Sequence, residues 1–487
     1  MNLAVSIRWP HLSMGALAVA MLSACHSLAP DYVVPATPTQ AHYKESNVDD
    51  PAGWKTAQPA DQYPRGQWWK VFADSTLDDL QARAMAANQG LKQAFARLQE
   101  ARAYHEGIEA RRLPSLSTGI GPSRELTSQS SSDDAQSAAT YWRAQLNVAY
   151  EADLFGRVSD AIKASAADEQ QSAALYHSVL LALQADVAAN YYQLRTLDAQ
   201  IGIYRDTLKL REDALAFATK RKDSGQVSEM DWMRARTELA STRAGELALV
   251  RARAAREHNL AVLLGQAPSS FDFPFMPVQA LALQIPVGVP SALLERRPDV
   301  AAAERAMAAA NARIGLAKAA YFPSLTLTGM AGYEGNTLGE LFQGSSKAFL
   351  LGPLTGTVLN LPLFDGGKRE ADLANARAAY DEQAANYQQT VLDALREVED
   401  NLANIRLLQQ QVQAQTQAIE AAQGTSRIAR AQYQEGASDY LSVIDADRTT
   451  LHTEQELVEL HGEQSIATVR LITALGGGWA ASAASQP

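Results

Sequence analysis

From Tyr141 to Leu154 apolar and polar positions alternate strictly. One parity reads Trp142, Ala144, Leu146, Val148, Tyr150, Ala152 and Leu154; the other reads Tyr141, Arg143, Gln145, Asn147, Ala149, Glu151 and Asp153. Successive side chains of a strand point to opposite faces, so the pattern predicts a strand apolar on one side and polar on the other. Leu116, Thr118 and Ile120 against Ser115 and Ser117 predict a strand before it, and Leu325 and Leu327 against Ser324, Thr326 and Thr328 a third. A fourth, around Lys347 to Phe364, is apolar on both parities in places. Strands of this kind fit a transmembrane barrel with lipid outside and water inside, and equally the half-buried strands of a soluble sandwich. Periodicity leaves both open. The segments between strands, Pro122 to Thr140 with its SQSSSDDAQS core and Glu334 to Ser346, read as solvated loops longer than tight turns.

The other period in the chain is helical. Residues 157–223 and 368–434 carry apolar positions three and four apart and contain no proline. At ~1.5 Å per residue each such helix would run roughly 100 Å. In the first, the stripe Tyr176, Val179, Leu183, Val187, Tyr191, Leu194, Leu197, Ile201, Tyr204 and Leu208 needs packing partners along its length. A coiled-coil seam would supply them but would not explain the strands. Alanine-rich residues 77–112 and 295–321 predict further helical segments, each ending near a proline.

These elements are written twice. Leu113-Pro114-Ser115-Leu116 recurs as Phe322-Pro323-Ser324-Leu325, and Leu154-Phe155 as Leu363-Phe364, both at an offset of 209. Beyond that joint the offset becomes 211: Val187, Leu194 and Ile201 fall on Val398, Ile405 and Val412, Gly225 on Gly436, and Leu264-Gly265 on Leu475-Gly476. Chance periodicity in alanine-rich helix would not place prolines, glycines and aromatic pairs in the same order. Each half therefore reads helix, strand, loop, strand, very long helix, tight turn, helix. Four strands cannot close a barrel, which needs at least ~8, and an open edge in lipid leaves backbone groups unpaired. Three copies would supply twelve strands.

The ends of the chain bear on where it works. Residues 1–24 read as a signal peptide, with Arg8 ahead of a short apolar run from Met14 to Leu22. Leu22-Ser23-Ala24-Cys25 resembles a lipobox, and Cys25, predicted to be acylated, is the sole cysteine of 487 residues. His26 follows where an inner-membrane retention signal would put aspartate, which implies outer-membrane sorting. No further unbroken apolar run of ~18 residues predicts a membrane-spanning helix. A net charge of −11 speaks against a nucleic-acid partner.

Taken in order, Cys25 with Leu28-Ala29-Pro30-Asp31-Tyr32, Tyr150-Glu151-Ala152-Asp153-Leu154-Phe155-Gly156-Arg157, Arg297-Pro298-Asp299-Val300 with Ala303-Glu304, Tyr321-Phe322-Pro323-Ser324-Leu325 and Leu363-Phe364-Asp365-Gly366-Gly367 resemble the TolC-like outer membrane factor family, in its lipoprotein branch of OprM-like and NodT-type proteins. The resemblance covers essentially the whole mature chain. It implies a mainly α protein with membrane β-structure: a homotrimer whose twelve-stranded outer-membrane barrel, four strands per protomer, continues into a helical barrel through the periplasm. The implied divisions are a lipidated, equatorial segment at 25–76, a first repeat at 77–265, an equatorial linker at 266–294, a second repeat at 295–476 and a tail at 477–487. Gln266 to Pro290 and Asp31 to Ser75, with Trp54, Trp68 and Trp69, would build the equatorial belt.

The implied function is a passive duct for drugs or other toxic small molecules, the outer-membrane component of a tripartite efflux system, joined by a periplasmic adaptor to an inner-membrane pump of the resistance-nodulation-division type. The covalent lipid on Cys25 is the one prosthetic group expected. Ser224, Gly225, Gln226 and Val227 in one helix turn, and Gly436, Ala437 and Ser438 in the other, become candidate adaptor-docking tips. Leu441-Ser442-Val443-Ile444-Asp445-Ala446-Asp447 resembles the segment whose inward aspartates ring the family's periplasmic aperture. Asp445 falls on one such position; Ser442 replaces the other, and Ser438 stands where the prototype has an arginine, so that salt-bridge gate does not carry over.

Catalytic chemistry is thin. The eight histidines show no His-Glu-x-x-His pairing, and Gly366-Gly367-Lys368 lacks the first glycine and the Ser or Thr of a phosphate loop. An enzyme is not expected. A duct for type I protein secretion shares the expected fold and is the nearest alternative; a periplasmic adaptor lipoprotein, with one hairpin and no lipid-facing strands, is a more distant one.

Overall fold

The computed structural model describes residues 27–36, 43–45, 67–127, 137–278, 296–343, 347–351 and 359–477. The signal segment, Cys25, Trp54 and most of the linker lie outside them. The elements are α1 (Ser75–Ala87), α2 (Gln89–Glu109), β1 (Ser115–Thr127), β2 (Ser137–Ala152), α3 (Arg157–Asp223), α4 (Glu229–Leu263), α5 (Pro298–Ala319), β3 (Ser324–Gly335), β4 (Lys347–Leu351), β5 (Leu359–Asn360), α6 (Lys368–Gln434) and α7 (Tyr440–Ala474). The duplication recurs in their lengths: α3 and α6 have 67 residues each, α4 and α7 have 35 each.

Four differences from the sequence reading have local causes. The predicted helix over 77–112 is two helices, because Asn88 leaves helical geometry (ψ 128°), accepts the Leu91 amide at 2.9 Å and donates to the Leu263 carbonyl at 2.9 Å. Of the loop expected from Pro122 to Thr140, residues 122–127 and 137–140 are strand, β1 and β2 staying paired out to Thr127 and Ser137, and residues 128–136 lie outside the described residues. Pro122 is tolerated there because β1 lies at the edge of the sheet. Within Glu334 to Ser346, β3 runs on to Gly335 and residues 338–342 form a 3-10 turn that buries Leu341. Of the expected fourth strand, the described residues form β4 and β5, which pair with opposite ends of β3.

By compactness the chain divides into two units, and each sequence repeat contributes to both. Of the described residues, unit 1 holds those within 27–36, 98–172 and 302–388, and unit 2 holds the others. In unit 1 the sheet is antiparallel throughout, in the order β1-β2-β3-β4. Directly opposed residues share a face. The registers Leu116↔Val148, Ile120↔Ala144, Pro122↔Trp142, Val148↔Gly329, Tyr150↔Leu327 and Ala144↔Tyr333 therefore join the apolar parities of three strands into one face. Leu116, Ile120, Leu146 and Tyr333 on it are exposed, at 65, 59, 44 and 54%.

Beside the sheet, the segment from Ser27 to Tyr32 is tied onto α3 and α5. Ser27 Oγ donates to Asp160 Oδ1 at 2.5 Å, Asn311 Nδ2 donates to the Pro30 carbonyl at 2.8 Å, and the Tyr32 hydroxyl donates to the Glu304 carboxylate. Asp160, Glu304 and Asn311 are all buried. Gly315 makes the passage possible, since a Cβ there would lie 2.8 Å from both the Cβ and the amide nitrogen of Ala29. Burial and the Glu304 contact push the Tyr32 phenol upward, so it remains a neutral donor.

Unit 2 is helical. Its largest core gathers Trp68, Trp69, Phe72, Leu77 and Leu80 against Tyr191, Tyr192, Leu194, Leu260, Leu264 and Ile472. Trp68 and Trp69 are both buried in this core, with Trp68 Nε1 donating to Gln184 Oε1 at 3.0 Å. Residues 271–278 are pinned by a buried acid: Asp198 accepts Arg253 Nε at 2.5 Å and the Met276 amide at 2.8 Å, while Arg253 Nη2 reaches the Phe273 carbonyl at 2.8 Å.

Candidate functional site

The two helix reversals are built alike. After α3, Gly225 takes φ +71°, the Gln226 amide bonds the Arg221 carbonyl at 2.8 Å and the Gly225 amide bonds the Lys222 carbonyl at 2.9 Å. After α6, Gly436 takes φ +75°, with Ala437 bonded to the Gln432 carbonyl at 2.8 Å and Gly436 to that of Tyr433 at 3.1 Å. Both are Schellman closures, in which the left-handed residue lets two orphan carbonyls be satisfied. Ser228 and Asp439 then cap α4 and α7, accepting the Asp231 and Ser442 amides at 3.1 Å each. The Ser442 hydroxyl and amide hold the Asp439 carboxyl below the usual range.

Ser224, Gly225, Gln226, Gly436 and Ala437 are exposed, while Val227 and Ser438 are half-buried. Behind the turns, Lys222 Nζ sits 4.1 Å over the Trp232 ring, and Tyr433 and Tyr440 pack at 5.2 Å between centroids. A core of Ala218, Ala235, Ala429, Tyr440, Val443 and Ile444 draws on α3, α4, α6 and α7, so the two hairpins pack together next to their tips.

Below that core lies a charge network that sequence reading missed. Arg211 of α3, buried, places Nη2 3.7 Å from Glu238 of α4 and Nη1 3.5 Å from Asp447 of α7. Arg430 Nη2 reaches Asp447 Oδ1 at 2.9 Å, Ser426 Oγ donates to the same oxygen at 2.6 Å, and Arg448 pairs with Glu238. Three guanidiniums and two carboxylates thereby connect all four helices.

The predicted aperture residue, Asp445, is exposed on α7, and its backbone carbonyl accepts Thr449 Oγ1 at 2.9 Å. The structure joins it to neither turn. A signal for Asp447 was present in the sequence: Tyr440, Val443, Ile444 and Asp447 are spaced three and four apart, which puts Asp447 on the packed stripe and Asp445 off it. The repeat offset also marks the network as singular, because Arg211, Glu238 and Asp447 correspond to Ala422, Thr449 and Arg236.

The sheet offers the other functional surface. Opposite its apolar face run Ser115, Ser117 and Gly119, Gln145 and Asn147, and Thr326 and Thr328. Trp142 and Tyr333 lie near one end of the apolar face and Tyr150 eight positions along β2, a separation of roughly 26 Å at ~3.3 Å per residue. That matches the ~25 Å apolar band between aromatic girdles in transmembrane barrels. Among the described residues, no helix is long and apolar enough to cross a membrane, and no cluster of three His, Cys, Asp or Glu could hold a metal.

Comparison with known proteins agrees with this architecture. The outer membrane efflux protein family model matches twice, over residues 80–266 and 289–477. The toluene efflux pump outer membrane protein TtgF of Pseudomonas putida is 33% identical over 475 residues, 97% of each chain. The cation efflux system protein CusC of Escherichia coli O6:H1 is 32% identical over 463 residues, 94% of this chain and 96% of that one. The solved structure of the outer-membrane channel OprN superposes with a TM-score of 0.83 at 28% identity, covering 93% of this chain and 99% of that one.

Proposed function

Because the chain belongs to the outer membrane efflux protein family and is an outer-membrane component of an efflux system, we propose that three copies close a twelve-stranded barrel and act as a passive duct for toxic small molecules. The observation that carries this is the sheet of unit 1, one face apolar and exposed, the other polar, with free edges at β1 and at β4 and β5. Free edges in lipid strand backbone donors and acceptors at several kcal/mol each. Pairing between copies removes them, and the hydroxyl- and amide-lined face then surrounds water.

A periplasmic adaptor seats on the exposed turns at Gly225 and Gly436, and an inner-membrane resistance-nodulation-division pump supplies the energy. Acylation of Cys25 holds the chain to the outer membrane. Asp445 lines the periplasmic aperture; three copies of this exposed carboxylate make a negative constriction. In a planar bilayer, Asp445→Ala in the purified protein is expected to lower cation preference. A reversal potential identical to that of the unaltered protein would remove Asp445 from the aperture.

Deletion of the gene tests the duct. Sensitivity to several chemically unrelated amphiphiles or cations should rise by several doubling dilutions, and complementation should restore it. Loss of one exported protein with unchanged sensitivities would transfer the reading to protein secretion. In the same strain a Cys25→Ser copy should incorporate no labelled palmitate; retained label would eliminate the anchor.

A further inference from the structure

The polar face of the sheet is unevenly charged. Across β2, β3 and β4 one row of directly opposed residues reads Arg143, Glu334 and Lys347, and its place on β1 is taken by Gly121. Arg143 Nε lies 3.3 Å from Glu334 Oε2, and Arg143 Nη1 donates to Ser123 Oγ at 3.5 Å. A Cβ at Gly121 would touch nothing within 4 Å, so the row opens onto free space beside Arg143. Glu125 holds the same parity four places farther out on β1.

Away from the row toward the helices, the lining is uncharged: Gln145, Asn147 and Ala149 on β2, Thr326, Thr328, Met330 and Gly332 on β3, and Ser115, Ser117 and Gly119 on β1. The next charge on this face of β2, Glu151, is neutralised by Arg157. Eight residues separate it from Arg143, roughly 26 Å of strand at ~3.3 Å per residue. The Debye length is ~10 Å at 0.1 M salt, so the two levels are electrically independent. Between the level of Glu151 and that of Glu125, this row is the fixed charge that a permeating ion meets.

We propose that Arg143, Glu334 and Lys347 form the ion-selectivity filter of the barrel section. The inference rests on the trimeric duct above, which would repeat the row three times around the lumen. Within the row, Arg143 and Glu334 cancel and Lys347 leaves one positive charge per copy. The filter therefore favours anionic or neutral cargo at this level and repels free cations.

The test is the reversal potential in asymmetric KCl of the purified full-length protein in a planar bilayer, in an Asp445→Ala background so that the proposed aperture does not mask the barrel. Glu334→Gln removes three negative charges from the ring and should move the K⁺/Cl⁻ permeability ratio toward chloride, by roughly twofold at ~0.1 M salt. Arg143→Gln and Lys347→Gln should each move it toward potassium by a similar factor. All three shifts should shrink near 1 M salt, where the Debye length is ~3 Å. Misfolding cannot imitate effects of opposite sign. Conductance with a ratio unmoved by all three substitutions, or moved in the same direction by all of them, overturns the filter and leaves the duct standing. Absence of conductance in every protein, the unaltered one included, overturns both.

Discussion

Replacing Arg211 by Met is expected to lower the unfolding free energy by about 3 kcal/mol, the lower part of the range for breaking a buried ion pair. Arg211 is 3% exposed, and the two carboxylates that flank it, Glu238 and Asp447, have side chains 6 and 11% exposed. Removing the guanidinium leaves both acids short of a partner. The loss does not reach the top of the range because Arg448 still serves Glu238 and Arg430 still serves Asp447. Arg211→Met with Glu238→Gln should recover part of the loss, since residues in one network couple by ~0.5–3 kcal/mol. Denaturant unfolding of the detergent-purified protein measures this, and a change below about 0.5 kcal/mol would falsify a cross-brace between the hairpins.

Gly315→Val should expel the strap from Ser27 to Tyr32. The new side chain would occupy the place of Ala29 and Asp160 Oδ2, and the Ala29 backbone cannot retreat while Asn311 holds Pro30. Asp160, 0% exposed, then loses the Ser27 hydroxyl and, among the described residues, keeps the Lys163 ammonium at 3.2 Å. Overpacking and a buried acceptor left short together are expected to cost about 2–4 kcal/mol. Limited proteolysis is the more specific readout: cleavage between residues 27 and 36 should accelerate while the α3–α4 and α6–α7 hairpins stay resistant. Equal protection of the strap in both proteins would show that Gly315 is not what admits it.

The sequence made the long helices legible because nothing interrupts their periodicity. The stretches 157–223 and 368–434 are the observed α3 and α6, bounded by glycines at both ends. The strand faces were legible for the same reason, since a two-residue period survives whatever the strand pairs with. What escaped notice depends on partners distant in the chain. Asn88 gives no proline or glycine signal; it ends a helix because the Leu263 carbonyl lies within its reach, 175 positions later. β1 extends past Pro122 because β2 is there to pair with it. At the tips the glycines announced the turns, yet the charge network joins Arg211 to a residue 236 positions away. Asp445 drew notice through family likeness, whereas helical phase selects Asp447 for packing.

The change of repeat offset from 209 to 211 falls between the last strand residue and the first residue of the long helix in each half. The first joint turns on Gly156 at φ +74°; the second uses Gly366 and Gly367 at +68° and +90°. Inside β2 a single added residue would swap the apolar and polar faces, and inside α3 it would rotate every later side chain by ~100°. Length can change at this joint because neither period crosses it. A reporter loop or affinity tag grafted between Phe364 and Lys368 should therefore leave both elements in phase, whereas the same graft a few residues into β3 or α6 would scramble a whole surface.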